Sequence, residues 1–151
     1  MLRAVFTQGF SLLAVMKQGP PGGGNYITAS AAYVDVDAVN LAYTVTVPLG
    51  KKLLIRASGV VFSTTVINNV VVAITDGATV LADTNGGGTG IGRADSNHCF
   101  ALDYLFVGDG LAHTFKLRFL ALNGVNNAVI YNPAGVTGVG PRMTFLMFDS
   151  I

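Results

Sequence analysis

Glutamate is absent from this 151-residue chain, histidine occurs twice and cysteine once. Eight scattered aspartates are the whole supply of side-chain carboxylates. Acid–base catalysis needs titratable groups converging in one cleft with shifted pKa values, and so thin a stock argues against an enzyme. No Gly-x-Ser-x-Gly elbow, His-Glu-x-x-His or Cys-x-x-Cys motif occurs. No catalytic, cofactor-binding or metal-ligating residues are therefore assigned, and no cofactor is expected. The single Cys99 excludes an intrachain disulfide. Basic residues are not clustered, since only Lys51 and Lys52 are adjacent and the net charge is +1. That excludes an electrostatic grip on nucleic acid. No apolar run approaches the ~18 residues of a spanning helix. Residues 1–16 have the outline of a signal peptide, with Arg3 before an apolar stretch. Gln8, Gly9 and Ser11 interrupt that stretch, however, and no A-x-A-like site follows.

Charge itself is scarce. Only 11% of residues are charged while 51% are hydrophobic. A folded monomer of 15.7 kDa exposes roughly 7,300 Å², so each charge serves roughly 430 Å², about the largest apolar patch a soluble monomer tolerates. Part of that surface is expected to be covered by other chains. At 151 residues there is room for one domain.

Along the chain, residues 1–18 form one compositional unit, with Leu2, Val5, Phe6, Phe10, Leu13 and Met16 suited to a short amphipathic helix or to a sticky extended arm. Gly19-Pro20-Pro21-Gly22-Gly23-Gly24 continues neither helix nor sheet and reads as a linker. A lone Gly-Pro-Pro is not a collagen repeat. The arm and linker are thus 1–24, and the domain is 25–151. From Asn25 the period is two. Leu41, Tyr43, Val45 and Val47 alternate with small polar residues, and Leu53, Ile55 and Ala57 share a face opposite Arg56 and Ser58. Asp76-Gly77 is a hairpin signal after the Val66–Thr75 strand, and Gly108-Asp109-Gly110 is another turn. Phe115, Leu117, Phe119 and Ala121 oppose Thr114, Lys116 and Arg118. About eight strands with turn signals every ~8–12 residues mean a sandwich or barrel. The closing stretch from Met143 to Phe148 is apolar on both faces apart from Thr144, which suits a strand covered on both sides. An outer-membrane barrel would also alternate in this way, but it requires aromatic girdles and export, which are not evident.

The stretches Tyr43 to Pro48, Leu53 to Gly59, Val72 to Gly77, His113 to Arg118 and Met143 to Phe148 carry a resemblance to the trimeric jelly-roll modules of the C1q/tumour-necrosis-factor type and of phage virion proteins. It covers roughly residues 26–151. The resemblance implies an all-β antiparallel sandwich of jelly-roll type, and a homotrimer whose inner sheets meet near the axis. Met143, Phe145, Met147 and Phe148 are the implied oligomer-interface residues. Without a signal peptide or a collagen repeat, the viral branch is favoured.

Isolated candidates for chemistry have plainer readings. Asp35 and Asp37 share a strand face and offer two carboxylates toward Ca²⁺, or are two solvated side chains. His98 and Cys99 are adjacent and so point to opposite faces; Cys99 reads as a small buried hydrophobe, His98 as a loop residue and His113 as a structural turn residue. The glycine loop 85–92 opens no readable helix and so is not a phosphate site. The expected function is a homotrimeric virion structural protein, a phage capsid decoration (cement) protein whose partner is the major capsid protein or another virion component. Leu2, Phe6, Phe10, Leu13 and Met16 of the arm would be its anchor, and the virion its location. The alternative is a glycan-binding tip of a phage tail fibre, using Asn68, Asn69, Asn126, Asn127 and Tyr131. A dimer in place of the trimer stays open.

Overall fold

The computed structural model describes residues 13–20, 23–64, 69–84, 97–122, 124, 127–136 and 139–148. Its strands are β1 (Leu13–Gln18), β2 (Tyr26–Thr28), β3 (Val34–Asp35), β4 (Ala42–Thr46), β5 (Lys52–Ser63), β6 (Val70–Asp76), β7 (Thr79–Asp83), β8 (His98–Val107), β9 (Ala112–Ala121), β10 (Ala128–Ile130) and β11 (Arg142–Phe148). Among the described residues there is no helix, so the protein is all-β.

The strands pair antiparallel into two sheets. In the six-stranded sheet β5 is central. β8 takes one of its edges from Lys52 to Val61, while β11 (Lys52 to Ser58) and β10 (Val61 to Ser63) take the other in succession. β1 lies outside β11, and β2 outside β10. In the five-stranded sheet β9 is central, with β6 and then β7 on one edge and β4 and β3 on the other.

Period-two alternation decides what lies between the sheets. Leu53, Ile55, Ala57 and Val61 of β5 are buried against Phe115, Leu117, Phe119 and Ala121 of β9, together with Val70, Val72 and Ile74 of β6. At Leu53, Ile55 and Ala57 of β5 and at Phe115, Leu117, Phe119 and Ala121 of β9 these are the faces that the sequence alternation assigned. The β6–β7 hairpin turns at Gly77, whose φ of 55° lies in the left-handed region that glycine tolerates. Gly108 is fixed more tightly. Its N–H donates to the Lys51 carbonyl (2.8 Å) and its carbonyl accepts from Gly50 N–H (3.1 Å), which locks the β8–β9 turn onto the β4–β5 turn.

The stretch set apart as arm and linker is joined to the domain wherever it is described. β1 pairs with β11 along its whole length, from Leu13 opposite Met147 to Gln18 opposite Arg142. Gly19 N–H donates to the Pro141 carbonyl (3.1 Å), and the side-chain amide of buried Asn132 donates to the Pro20 carbonyl (3.2 Å). The reason is a strand-forming stretch beside an open edge. An unpaired β11 edge would leave a row of backbone donors and acceptors bare, and 13–18 supplies the partner.

Candidate functional site

The outer face of the six-stranded sheet is where strand register collects exposed apolar side chains. Since Leu53, Ile55 and Ala57 face the core, Leu54 and Arg56 face outward, and residues paired with them share that side. Leu146, Leu54 and Leu105 stand abreast across β11, β5 and β8, with Phe148, Lys52 and Val107 as the neighbouring row. Met16, Thr144, Arg56 and Asp103 form the next row across β1, β11, β5 and β8. Farther along β5, Val60 lies beside Cys99, and Phe62 lies beside Val129, which in turn pairs with Ile27. Met16 is 63% exposed, Ile27 59%, Val107 58% and Leu105 47%. An apolar row thus lies on one side of the Arg56 row, and Gln18, Arg142, Ser58 and Ala101 form the row on its other side.

Arg56 and Asp103 form the charged centre of that polar row. Arg56 Nε donates to Asp103 Oδ1 (2.7 Å) and Nη2 donates to Oδ2 (2.8 Å), a two-pronged pair. This hydrogen bonding, with the opposite charge behind it, holds the Asp103 carboxyl below its ordinary pKa and raises that of Arg56. Both side chains are about half exposed.

Several expectations change once side chains are placed. Met143, Phe145 and Met147 are not on an outer face: all three are buried in the core between the sheets. A side chain already out of water within one chain has no surface left to give a partner. The apparent two-faced greasiness of the stretch resolves into a core row and an outward row, and of the four residues assigned to the interface only Phe148 is outward, beside Leu146. In the anchor set, Leu2, Phe6 and Phe10 lie outside the described residues, Leu13 belongs to β1, and Met16 is on the sheet face just described. Cys99 is exposed rather than buried, because Phe100 and Leu102 take the inward positions of β8. His98 opens that strand instead of lying in a loop.

Asp35 and Asp37 do not form a shared oxygen site. Asp35 accepts from Lys116 Nζ (2.7 Å) and lies 3.0 Å from Arg118 Nε. Asp37 turns away and caps its own loop, accepting from the N–H groups of Val39 (3.0 Å) and Asn40 (2.8 Å) and from the Tyr26 hydroxyl (3.1 Å). Burial tends to raise the Asp37 pKa, but these donors bring it below the usual value, while burial and Asp37 push Tyr26 up to about 12. Among the described residues no group of three or more His, Cys, Asp or Glu side chains is placed to hold a metal ion.

His113 is the clearest residue whose setting the sequence reading missed. Its Nδ1 lies 2.5 Å from Asp76 Oδ2 and its Nε2 lies 3.0 Å from Asp109 Oδ1. Its ring packs 4.5 Å from Phe106, centroid to centroid. The hydrogen bonds to Asp109 and then Asp76 raise the imidazole pKa. Both ring nitrogens are taken up by carboxylates, so the cluster ties the β8–β9 turn to the end of β6 and presents no free base. The glycine loop 85–92, Asn68 and Asn126 lie outside the described residues. Asn69 and Asn127 use their carbonyls on the neighbouring N–H groups of Leu122 (2.9 Å) and Thr64 (3.1 Å), and Tyr131 packs edge-on against Phe62.

No protein-family model matches this chain, and no curated protein matches it. The site is an outward sheet face that carries apolar side chains beside one ion pair. Leu54, Leu105, Val107 and Ile27 were the members that sequence reading did not single out. The signal for them was the alternation itself, which leaves Leu54, Val60 and Phe62 of β5 and Leu105 and Val107 of β8 outward among polar residues, where a solvated sheet would carry polar groups throughout.

Proposed function

We propose that this protein is a virion structural protein, a homotrimeric decoration (cement) protein of a phage capsid, and not an enzyme. The observation that carries the reading is the outer face of the six-stranded sheet, where Met16 shares the row of a self-neutral Arg56–Asp103 pair and Leu54, Leu105 and Leu146, then Phe148 and Val107 beside Lys52, fill the rows on one side of it. A face so apolar is a contact surface, and with its central charges already matched it suits a second copy of itself.

The strand order supports a jelly roll. Set aside the short strands β2, β3 and β10, and the remaining eight pair as nested partners: first with last (β1–β11), second with seventh (β4–β9), third with sixth (β5–β8) and fourth with fifth (β6–β7). An antiparallel ribbon wrapped over two sheets gives that nesting. The anchoring role of the arm rests on where β1 starts. Leu13 pairs with Met147 at the end of the sheet where Val107 is exposed, near the turns carrying Leu49 (81% exposed) and Leu111 (64%). The exposed Leu49 and Leu111 make that end the natural capsid-facing side.

The test is the native mass from light scattering. Three times the 15.7 kDa chain mass is expected, with Leu54→Asp shifting the protein to single chains. A monodisperse single-chain species at micromolar concentration overturns the homotrimer. Antibody-labelled micrographs of the virion should place the label on the capsid shell; label at the tail, with saccharide binding on a glycan array, would favour a fibre tip instead.

A further inference from the structure

We infer that the Arg56–Asp103 pair is the register element of the contact between copies, each copy's pair completing its hydrogen bonds on the pair of the next. This rests on the homo-oligomer reading above. On a lone chain the pair has little to do, since an exposed ion pair contributes almost nothing to a fold, and both side chains are about half exposed. Its placement is the unusual feature. Leu54 and Leu105 lie in the adjoining row on one side; Ser58, Ala101 and Arg142 lie in the adjoining row on the other, with Val60 and Cys99 one row beyond.

When the face is covered, these groups leave water. Arg56 has spent Nε–H and one Nη2–H on Asp103, so of its five donors three N–H remain. The two carboxylate oxygens of Asp103 each keep a further acceptor site. An apolar partner would strand all of them at high cost. A copy of the same chain brings both the missing acceptors and the missing donors, and a rotation axis can close the set into a ring in which each arginine serves its own aspartate and the neighbour's. Sliding the copies by one row would set Arg56 against Leu54 or Leu105 in one direction and against Ser58, Ala101 or Arg142 in the other; neither row holds a carboxylate, so one register satisfies the charges and the next does not. Apolar rows supply adhesion, and the pair supplies position.

The experiment uses the full chain in five forms: wild type, Arg56→Leu, Asp103→Leu, and the doubles Arg56→Leu/Asp103→Leu and Arg56→Asp/Asp103→Arg. Mass is followed by light scattering over a dilution series, and subunit exchange between isotope-labelled forms is followed by native mass spectrometry. Far-UV circular dichroism and melting of the diluted chains check that each variant folds. Each single substitution should raise the concentration for half-dissociation at least tenfold. The double leucine variant should assemble but into a mixture of sizes. The charge-exchanged double should assemble with itself and fail to exchange subunits with wild type, because mixed contacts bring like charges together. Free exchange with wild type, or single variants that assemble at the wild-type concentration into one size, overturns the register role while leaving the oligomer intact. A wild-type protein that never assembles removes the oligomer reading and this inference with it, so the two failures are distinct.

Discussion

Gly108 leaves no room for a side chain: a Cβ there would run into the carbonyl oxygens of Val47 and Pro48. Those are backbone atoms fixed by the turn, so Gly108→Ala should cost about 2 kcal/mol or more through forced backbone shifts, read as a lower midpoint in thermal or urea unfolding. An unchanged midpoint would show that the two turns separate easily. His113 gives a pH signature. Its folded pKa is raised by Asp109 and Asp76, so its stabilisation is complete below the unfolded value of about 6.5 and is lost as pH rises through the folded one. The Asp109 pKa is lowered by the same contact, so its share is present above about 3.9 and disappears as pH falls through the lowered value. Melting temperature should therefore decline from pH 6 towards pH 9 in the wild type, and the decline should be weaker in His113→Gln. Parallel pH profiles for the two would remove the imidazolium from the account.

Among the elements, β11 separates core from surface most sharply. Met143 and Phe145 are fully buried and Met147 nearly so, while Thr144, Leu146 and Phe148 are half-covered on the other side. Met143→Ala should cost roughly 2–5 kcal/mol of stability and leave the native mass alone. Phe148→Asp should do the reverse, lowering the mass with a small effect on the melting of the separated chain. If Met143→Ala dissociated the assembly without lowering the melting point, the burial of that row would be at fault. β1 makes the length of any truncation matter. Removal of 1–12 leaves the strand in place and tests anchoring, whereas removal of 1–18 strips the β11 edge and should promote aggregation, seen as light scattering at rest.

For the molecule as a whole, Cys99 is a built-in reporter. It is free, exposed and on the face assigned to contact between copies. A thiol reagent should modify it slowly at concentrations where the protein is assembled and quickly after dilution to single chains. Equal rates at both would place the contact elsewhere.

The sequence by itself determined the all-β class, the turns at Gly77 and Gly108–Gly110, and the inward rows of β5 and β9, because period-two alternation and turn chemistry are local and need no partner. It set 13–18 outside the domain as part of an arm, took both faces of Met143–Phe148 as covered with Met143, Phe145, Met147 and Phe148 at the oligomer interface, and gave no sign that Arg56 would meet Asp103, forty-seven positions away. Those depend on which strand lies beside which. A residue's alternation says that its neighbours face the other way, but only the pairing of β1, β11, β5 and β8 says what each face meets.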